Sequence, residues 1–201
     1  MPLRVAVCIS GRGSNLTALL DALDTGAPAR VVLVLSDRPD ACGLALARGR
    51  GVATHVLADY ASAAEWLGVL ERASAGLIVL AGFLRLVPAP VVARYRNRII
   101  NVHPALLPAF GGPGMYGMRV HRAVLASGAR ESGATVHLVD EVYDRGPILA
   151  QARVPVEADD SPERLAARVL EAEHRLLPAV VLAAADAGHP VPLPSALELS
   201  R

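Results

Sequence analysis

Residues 3–23 read LRVAVCISGRGSNLTALLDAL, and the fold turns on this stretch. Leu3 to Ile9 is an apolar, β-branched run, the pattern of a strand buried on both faces. Ser10-Gly11-Arg12-Gly13-Ser14 interrupts it with a turn. Leu16, Leu19, Leu20 and Leu23 then share one face of a helix. A strand that turns through glycines into a helix is the opening unit of a layered α/β sheet.

The unit repeats downstream. Further strands are expected at 30–35, 52–57, 77–81 and 99–103, with helices at 42–50, 61–73 and near 90–95. After Ala134 the pattern changes. Two strands, 134–139 and 148–154, are separated only by a short loop holding Asp144-Arg145-Gly146-Pro147. That spacing is too short for a parallel crossover, so the two should pair antiparallel. Ser161-Pro162-Glu163 opens a long helix, with serine as N-cap and proline at the first helical position. This helix should run to about Asp186, with a possible bend at Pro178. The expectation is an α/β, Rossmann-like open sheet of seven strands. It is mostly parallel, with helices on both faces and an antiparallel C-terminal portion. The length suits one domain, 1–201, with an N-terminal half to about residue 100 and a C-terminal half from about 101. The proline-rich tail from Gly188 is expected to lie over the surface.

Composition removes several classes of chemistry. The 20 positive side chains are all arginine, because the sequence contains no lysine. Schiff-base lysines, lysine nucleophiles and P-loop lysines are thereby excluded. A net charge of +1 advertises no nucleic-acid surface. Cys8 and Cys42 are the only cysteines, which makes no disulfide framework. The N-terminal stretch is too short in apolar length for a signal peptide. The longest apolar runs, such as 76–84, fall short of the roughly 18 residues of a membrane span. A soluble, cytoplasmic protein is expected. There is no HExxH, CxxC or carboxylate cluster at metal spacing, so a metal-free mechanism is expected.

Three places could carry chemistry. The turn Gly11-Arg12-Gly13-Ser14-Asn15 enters a helix start, where unpaired N–H groups favour an anion. It reads as a monophosphate cradle, as a dinucleotide fingerprint or as a plain tight turn. The fingerprint has Leu16 at its third glycine, with Asp37 near the place of a ribose-binding acid. Asn101-Val102-His103-Pro104 ends the fifth strand, at the edge where open sheets place ligands. Asn101 and His103 are two apart and share a side. An amide beside an imidazole suits gripping a carbonyl oxygen and moving a proton, although a lone strand-end histidine is more often structural. Asp144 lies in a turn, where aspartate commonly caps backbone N–H groups. Near His103 it would raise the imidazole pKa. His137 alternates with Val136 and Leu138 along a strand, and Glu173-His174 lies mid-helix, where a solvated face is the default. The segment 110–117 is too glycine-rich for a regular element and reads as a lid or binding loop.

Taken together, these segments resemble the phosphoribosylglycinamide (GAR) formyltransferases, folate-dependent enzymes of purine synthesis. The resemblance runs through residues 9–16, Ser36-Asp37 with Gly43-Leu44, and 80–85. It continues through 101–108, 133–137, 144–147 with Gln151, and Glu173-His174. It implies Asn101, His103 and Asp144 as catalytic residues. It implies Gly11, Arg12, Gly13, Ser14, Asn15 and Glu173 as GAR-binding residues, the glycine turn holding the phosphate and Glu173 the ribose hydroxyls. On the folate side it implies Phe83, Leu84, Arg85, Leu86, Val139, Asp140 and Tyr143, with Asn101 and Asp144 shared. It further implies Thr135 and His137 as supporting residues and a cis bond at Leu107-Pro108. Protonated His103 and the Asn101 amide would stabilise the formyl oxyanion, with Asp144 keeping His103 cationic.

The implied co-substrate is 10-formyltetrahydrofolate, with no metal. The implied partners are GAR and the formyl-folate, with no nucleic acid and no membrane, in a monomer or homodimer. The sequence departs from the pattern at 60–66, which holds no arginine for the glutamate tail of folate. Thr135 stands where some members have serine, the loop after Pro108 is longer than in the shorter bacterial members, and Arg119 stands where some members have histidine. Rival readings are a formyltetrahydrofolate-dependent transferase or hydrolase with another acceptor, an NAD-binding oxidoreductase, and a non-catalytic nucleotide sensor with the same sheet. Transfer to methionyl-tRNA is expected to need an added C-terminal domain, and hydrolysis an added N-terminal one.

Overall fold

A computed structural model describes residues 1–24 and 26–193. Residues 194–201, part of the tail expected over the surface, lie outside the described residues. The strands are β1 (Leu3–Ile9), β2 (Ala29–Ser36), β3 (Ala53–Val56), β4 (Leu77–Leu80), β5 (Ile99–His103), β6 (Glu131–Leu138) and β7 (Ile148–Pro155). The helices are α1 (Ser14–Ala22), α2 (Cys42–Gly49), α3 (Ala63–Arg72), α4 (Ala89–Arg94), α5 (Met118–Ala126) and α6 (Pro162–Ala187). One sheet runs in the order β3-β2-β1-β4-β5-β6-β7. The first five strands are parallel, and β6 and β7 are antiparallel to their neighbours. This is the sheet expected from the sequence.

The period of two along β1 explains why the sheet is covered on both faces. Val5, Val7 and Ile9 enter the core shared with α1, α2 and α6. Ala6 and Cys8 enter the second core, with Trp66, Val69, Leu70 and Val91 of α3 and α4. In that second core Trp66 meets the Phe83 ring edge-on, with centroids 5.5 Å apart, and its indole N–H donates to the Tyr60 carbonyl at 3.0 Å. Ser62 caps α3 and Ser161 caps α6, each accepting from the backbone N–H three residues on. Helix α6 continues through buried Pro178 and packs on β6, β7, α1 and α5.

The sequence reading contained no helix at Met118–Ala126. It begins straight from the glycine run at Gly117 without a side-chain cap, and its arginines mask the short apolar stripe of Val120 and Val124. The turn between β6 and β7 is tight. Leu138 N–H donates to the Pro147 carbonyl at 2.8 Å, and a Cβ at Gly146 would collide with the Leu138 carbonyl. Gly146→Ala should therefore destabilise the chain by about 1–3 kcal/mol or more, read as a lowered urea midpoint.

Candidate active site

The order of the sheet creates the site. Strand β1 has β2 on one side and β4 on the other, so the chain leaves it in opposite directions. The loops after β1 and β4 diverge there and leave a crevice at the carboxyl ends of the strands. A cavity of about 790 Å³ fills it, lined by residues 11–15, 80–87, 101–104, 112–118, 139–140 and 142–144, by His121 and His137, and by Glu163 and Glu173 of α6. Among the described residues, no group of three or more His, Cys, Asp or Glu side chains could hold a metal ion. No helix among them is long and apolar enough to cross a membrane.

At one end lies the glycine turn. Gly13 is the N-cap of α1 in left-handed backbone (φ 81°), and no side chain caps the helix. No acid occupies its first turn, so the free N–H groups face the cavity as an anion seat. The turn is braced from behind. Gly43 N–H donates to the Gly11 carbonyl at 3.1 Å, and a Cβ on Gly13 would stand 2.9 Å from the Gly43 Cα. Only glycine fits that approach. Buried Asn15 donates from Nδ2 to Glu173 Oε2 at 2.7 Å, while its Oδ1 has no partner. Glu173 is thus buried in the site and not on a solvated face. Its neighbour His174 is half-buried.

The middle of the cavity holds the amide, the imidazoles and the carboxylate. Antiparallel pairing sets Asn101 opposite His137 and His103 opposite Thr135. His137 lies against the Leu138 carbonyl through Nδ1 at 2.8 Å, so that nitrogen is the donor. Its Nε2 then accepts from Asn101 Nδ2 at 3.1 Å. This orients the Asn101 amide and leaves its second N–H for a ligand. Thr135 accepts from Leu107 N–H at 3.0 Å, donates to the Ala105 carbonyl at 2.6 Å and accepts from Gln151 at 2.9 Å. These bonds hold the 105–108 turn, whose Leu107-Pro108 bond is cis.

Asp144 Oδ2 lies 3.7 Å from His103 Nδ1, and Oδ1 lies 3.5 Å from His137 Nε2. Burial pushes Asp144 up. The bond from Gly112 N–H at 2.8 Å and the two flanking imidazoles outweigh it, so its pKa lies below the usual carboxylate value. His137 Nε2, at 3.5 Å and already accepting from Asn101, makes no hydrogen bond to the carboxylate, which is held by the Gly112 N–H.

The expectation that Asp144 keeps His103 cationic is corrected here. Burial is the largest effect on His103 and lowers its pKa; Asp144 and the Phe110 carbonyl oppose this without winning. At 3.7 Å the carboxylate is too far for a hydrogen bond, and His103 is neutral at pH 7. Its Nε2 donates to the Phe110 carbonyl at 2.8 Å. Both His103 and Asp144 are thus bonded to the 110–112 backbone, so this loop covers both side chains. Phe110 and Asp144 both adopt positive φ, 57° and 55°, an uncommon backbone for residues other than glycine.

The third part of the cavity is the wall opposite the glycine turn. Phe83 is buried behind it, whereas Leu84, Leu86, Val142 and Tyr143 expose apolar surface at its mouth. Asp140 accepts from Val142 N–H at 2.8 Å, shaping the loop beside it. Asp37, offered by the sequence as a ribose ligand, is not presented to the cavity. Its side chain is 2% exposed and bonded to Ser10 and Arg85. With Leu16 fully buried at the third glycine position, the dinucleotide fingerprint fails at two places.

The histidine of α5 went unnoticed in the sequence reading. His121 of α5 is buried beside the cavity with its Nδ1 unpartnered. Burial and the nearby His103 both lower its pKa. Its signal was the spacing Val120-His121-Val124, which needed the helix to be seen first.

The chain belongs to the formyl transferase family, whose model matches residues 3–181. Within it, the phosphoribosylglycinamide formyltransferase of Escherichia coli (strain K12) is 39% identical over 191 residues, 92% of this chain and 88% of that protein. The chloroplastic phosphoribosylglycinamide formyltransferase of Arabidopsis thaliana is 45% identical over 186 residues, 89% of this chain. The chain spans 64% of the plant protein's length. A crystal structure of the phosphoribosylglycinamide formyltransferase of Anaplasma phagocytophilum matches with a TM-score of 0.86 at 38% identity, covering 93% of this chain and 88% of that one. The resemblance read from the sequence is borne out.

Glu173 offers a test of the site's electrostatics. Burial raises its pKa from 4.5 to about 7, and the bond from Asn15 only partly offsets this. Between these values the folded chain binds a proton that the unfolded chain has lost, so stability falls as pH rises. Above about 7 the carboxylate is buried with its charge, at a cost on the order of 3 kcal/mol. Glu173→Gln should melt higher than the wild type above pH 7, and the difference should shrink as the pH falls towards 4.5.

Proposed function

We propose that this chain transfers the formyl group of 10-formyltetrahydrofolate to the amine of 5'-phosphoribosylglycinamide. The products are formyl-GAR and tetrahydrofolate, in de novo purine biosynthesis. The observation that carries the reading is the single cavity with three chemistries in sequence. These are an uncapped helix start with Asn15 and Glu173, a polar centre of Asn101, His103 and Asp144, and an apolar wall at 83–86 and 139–143. The phosphate of GAR binds at Gly11, Arg12, Gly13, Ser14 and Asn15, and Glu173 with Asn15 takes the ribose hydroxyls. Phe83, Leu84, Arg85, Leu86, Val139, Asp140 and Tyr143 receive the folate. The donors of both ligands therefore come from both sequence halves of a single formyltransferase unit spanning 1–201. The relatives, named as phosphoribosylglycinamide formyltransferases, support this acceptor over water or another amine.

The amine nitrogen attacks the formyl carbon and the carbonyl π pair moves onto oxygen. The free N–H of Asn101 donates to that oxyanion. His103, neutral when free, exchanges its bond to the Phe110 carbonyl for one to the same oxygen as the covering loop adjusts. The amine proton passes by way of Asp144 and water to the folate nitrogen as the tetrahedral adduct collapses and the carbon–nitrogen bond to folate breaks. Thr135 and His137 keep the strand end and the Asn101 amide in place. No metal enters these steps, and the enzyme works in the cytoplasm on small-molecule substrates.

Asn101→Ala, His103→Ala and Asp144→Asn should each lower kcat by about a hundredfold or more. The assay follows tetrahydrofolate release with and without GAR. Release independent of GAR would show hydrolysis or another acceptor, and near-normal turnover by His103→Ala would remove the assigned roles. KM for GAR should rise as the pH falls through about 7, where Glu173 gains its proton, and Glu173→Gln should abolish that rise.

A further inference from the structure

We propose that Asp37 is a positioning residue for the folate-side wall, acting through Ser10 and Arg85 across the crevice. The reading rests on the proposed function in one respect, the identity of the ligand at segment 83–86. The need for such a residue follows from the topology. The loops after β1 and β4 diverge at the switch point, and segment 83–86 belongs to no helix or strand. Something other than the sheet must fix its distance from the glycine turn.

Asp37 follows β2 directly, and its carboxylate is buried between the two loops. Oδ1 accepts the Ser10 hydroxyl at 2.6 Å. The same hydroxyl oxygen accepts Leu84 N–H at 2.9 Å. Oδ2 accepts Arg85 Nε at 2.9 Å. Ser10 N–H itself donates to the Gly82 carbonyl at 3.0 Å, which ties the base of the segment to the end of β1. Arg85 is held on its other side by the Tyr60 ring, 4.7 Å from the guanidinium carbon. One carboxylate thus links the residue before the glycine turn to two consecutive residues of the opposite wall. Charge-assisted bonds to a carboxylate this buried are stronger than exposed ion pairs.

The chemistry predicts a split between the two substrates. Losing the carboxylate frees Leu84 and Arg85 to drift, whereas the glycine turn keeps its own brace on Gly43. Asp37→Ala should raise KM for 10-formyltetrahydrofolate by about tenfold or more, with KM for GAR and kcat changed by no more than about threefold. Asp37→Asn, which keeps the shape, should give a smaller change of the same kind. Calorimetric titration with tetrahydrofolate should show the same weakening without turnover. In an Arg85→Gln background the effect of Asp37→Asn should largely disappear, because the two act as one unit.

A merely structural role would lower the melting temperature and the active fraction, leaving both KM values alone. That result, an equal rise in both KM values, or full additivity with Arg85→Gln would overturn the proposal. If Asp37→Ala does not fold, Asp37→Asn and the double variant carry the same test. If the wild type binds tetrahydrofolate but forms no formyl-GAR, the proposed function fails while the calorimetric comparison still decides the role of Asp37. If it binds no tetrahydrofolate at all, both readings fall.

Discussion

The antiparallel pairing of β6 with β5 is the constraint on which the site depends. A parallel neighbour would return to β5 from its far end and place a helix across its face. By running back alongside β5, β6 brings Thr135 and His137 opposite His103 and Asn101. The β6–β7 register then shifts between Val136 and His137, just before the chain turns to carry Asp144 over the strand ends. Four of the polar groups at the centre of the cavity therefore owe their positions to one ladder and the turn that follows it.

Burial then determines how those groups behave. It opposes charge on His103, Asp144 and Glu173 alike, yet the outcomes differ with the partners. Asp144 stays ionised because the Gly112 N–H bonds it and two imidazoles flank it. Glu173 has a single amide donor and is driven towards neutrality. Among the described residues four buried side-chain atoms lack partners, and two of them, Asn15 Oδ1 and His121 Nδ1, belong to residues lining this cavity. Buried polar atoms are costly to leave unpaired, and such a cost is tolerated where a ligand completes the set.

The layered α/β sheet was legible because its strands are apolar on both faces and its breaks fall at glycines and prolines. The switch to antiparallel pairing was legible in the short loop around Asp144. Helix α5 was not, since Arg119 and Arg122 hide a stripe only two residues long, and His121 was hidden with it. The proximity of Asp144 to His103 followed the resemblance, whereas the protonation of His103 did not. Sequence spacing shows which groups meet and not how dry the place is. Asp37 was noticed as an acid after a strand, but its bonds reach Ser10 and Arg85, 27 and 48 residues away. No local pattern encodes such a contact.

The chain has one tryptophan, Trp66, sealed in the second core with its indole N–H bonded and its ring against the edge of Phe83. Phe83 begins the wall opposite the glycine turn. The protein therefore carries a lone, dry indole packed against the first residue of that wall. An indole so buried should emit at short wavelength, and any ligand that shifts the wall changes the surroundings of the only indole. Occupancy of this half of the crevice can be followed optically, without a label and without a second tryptophan to blur the signal.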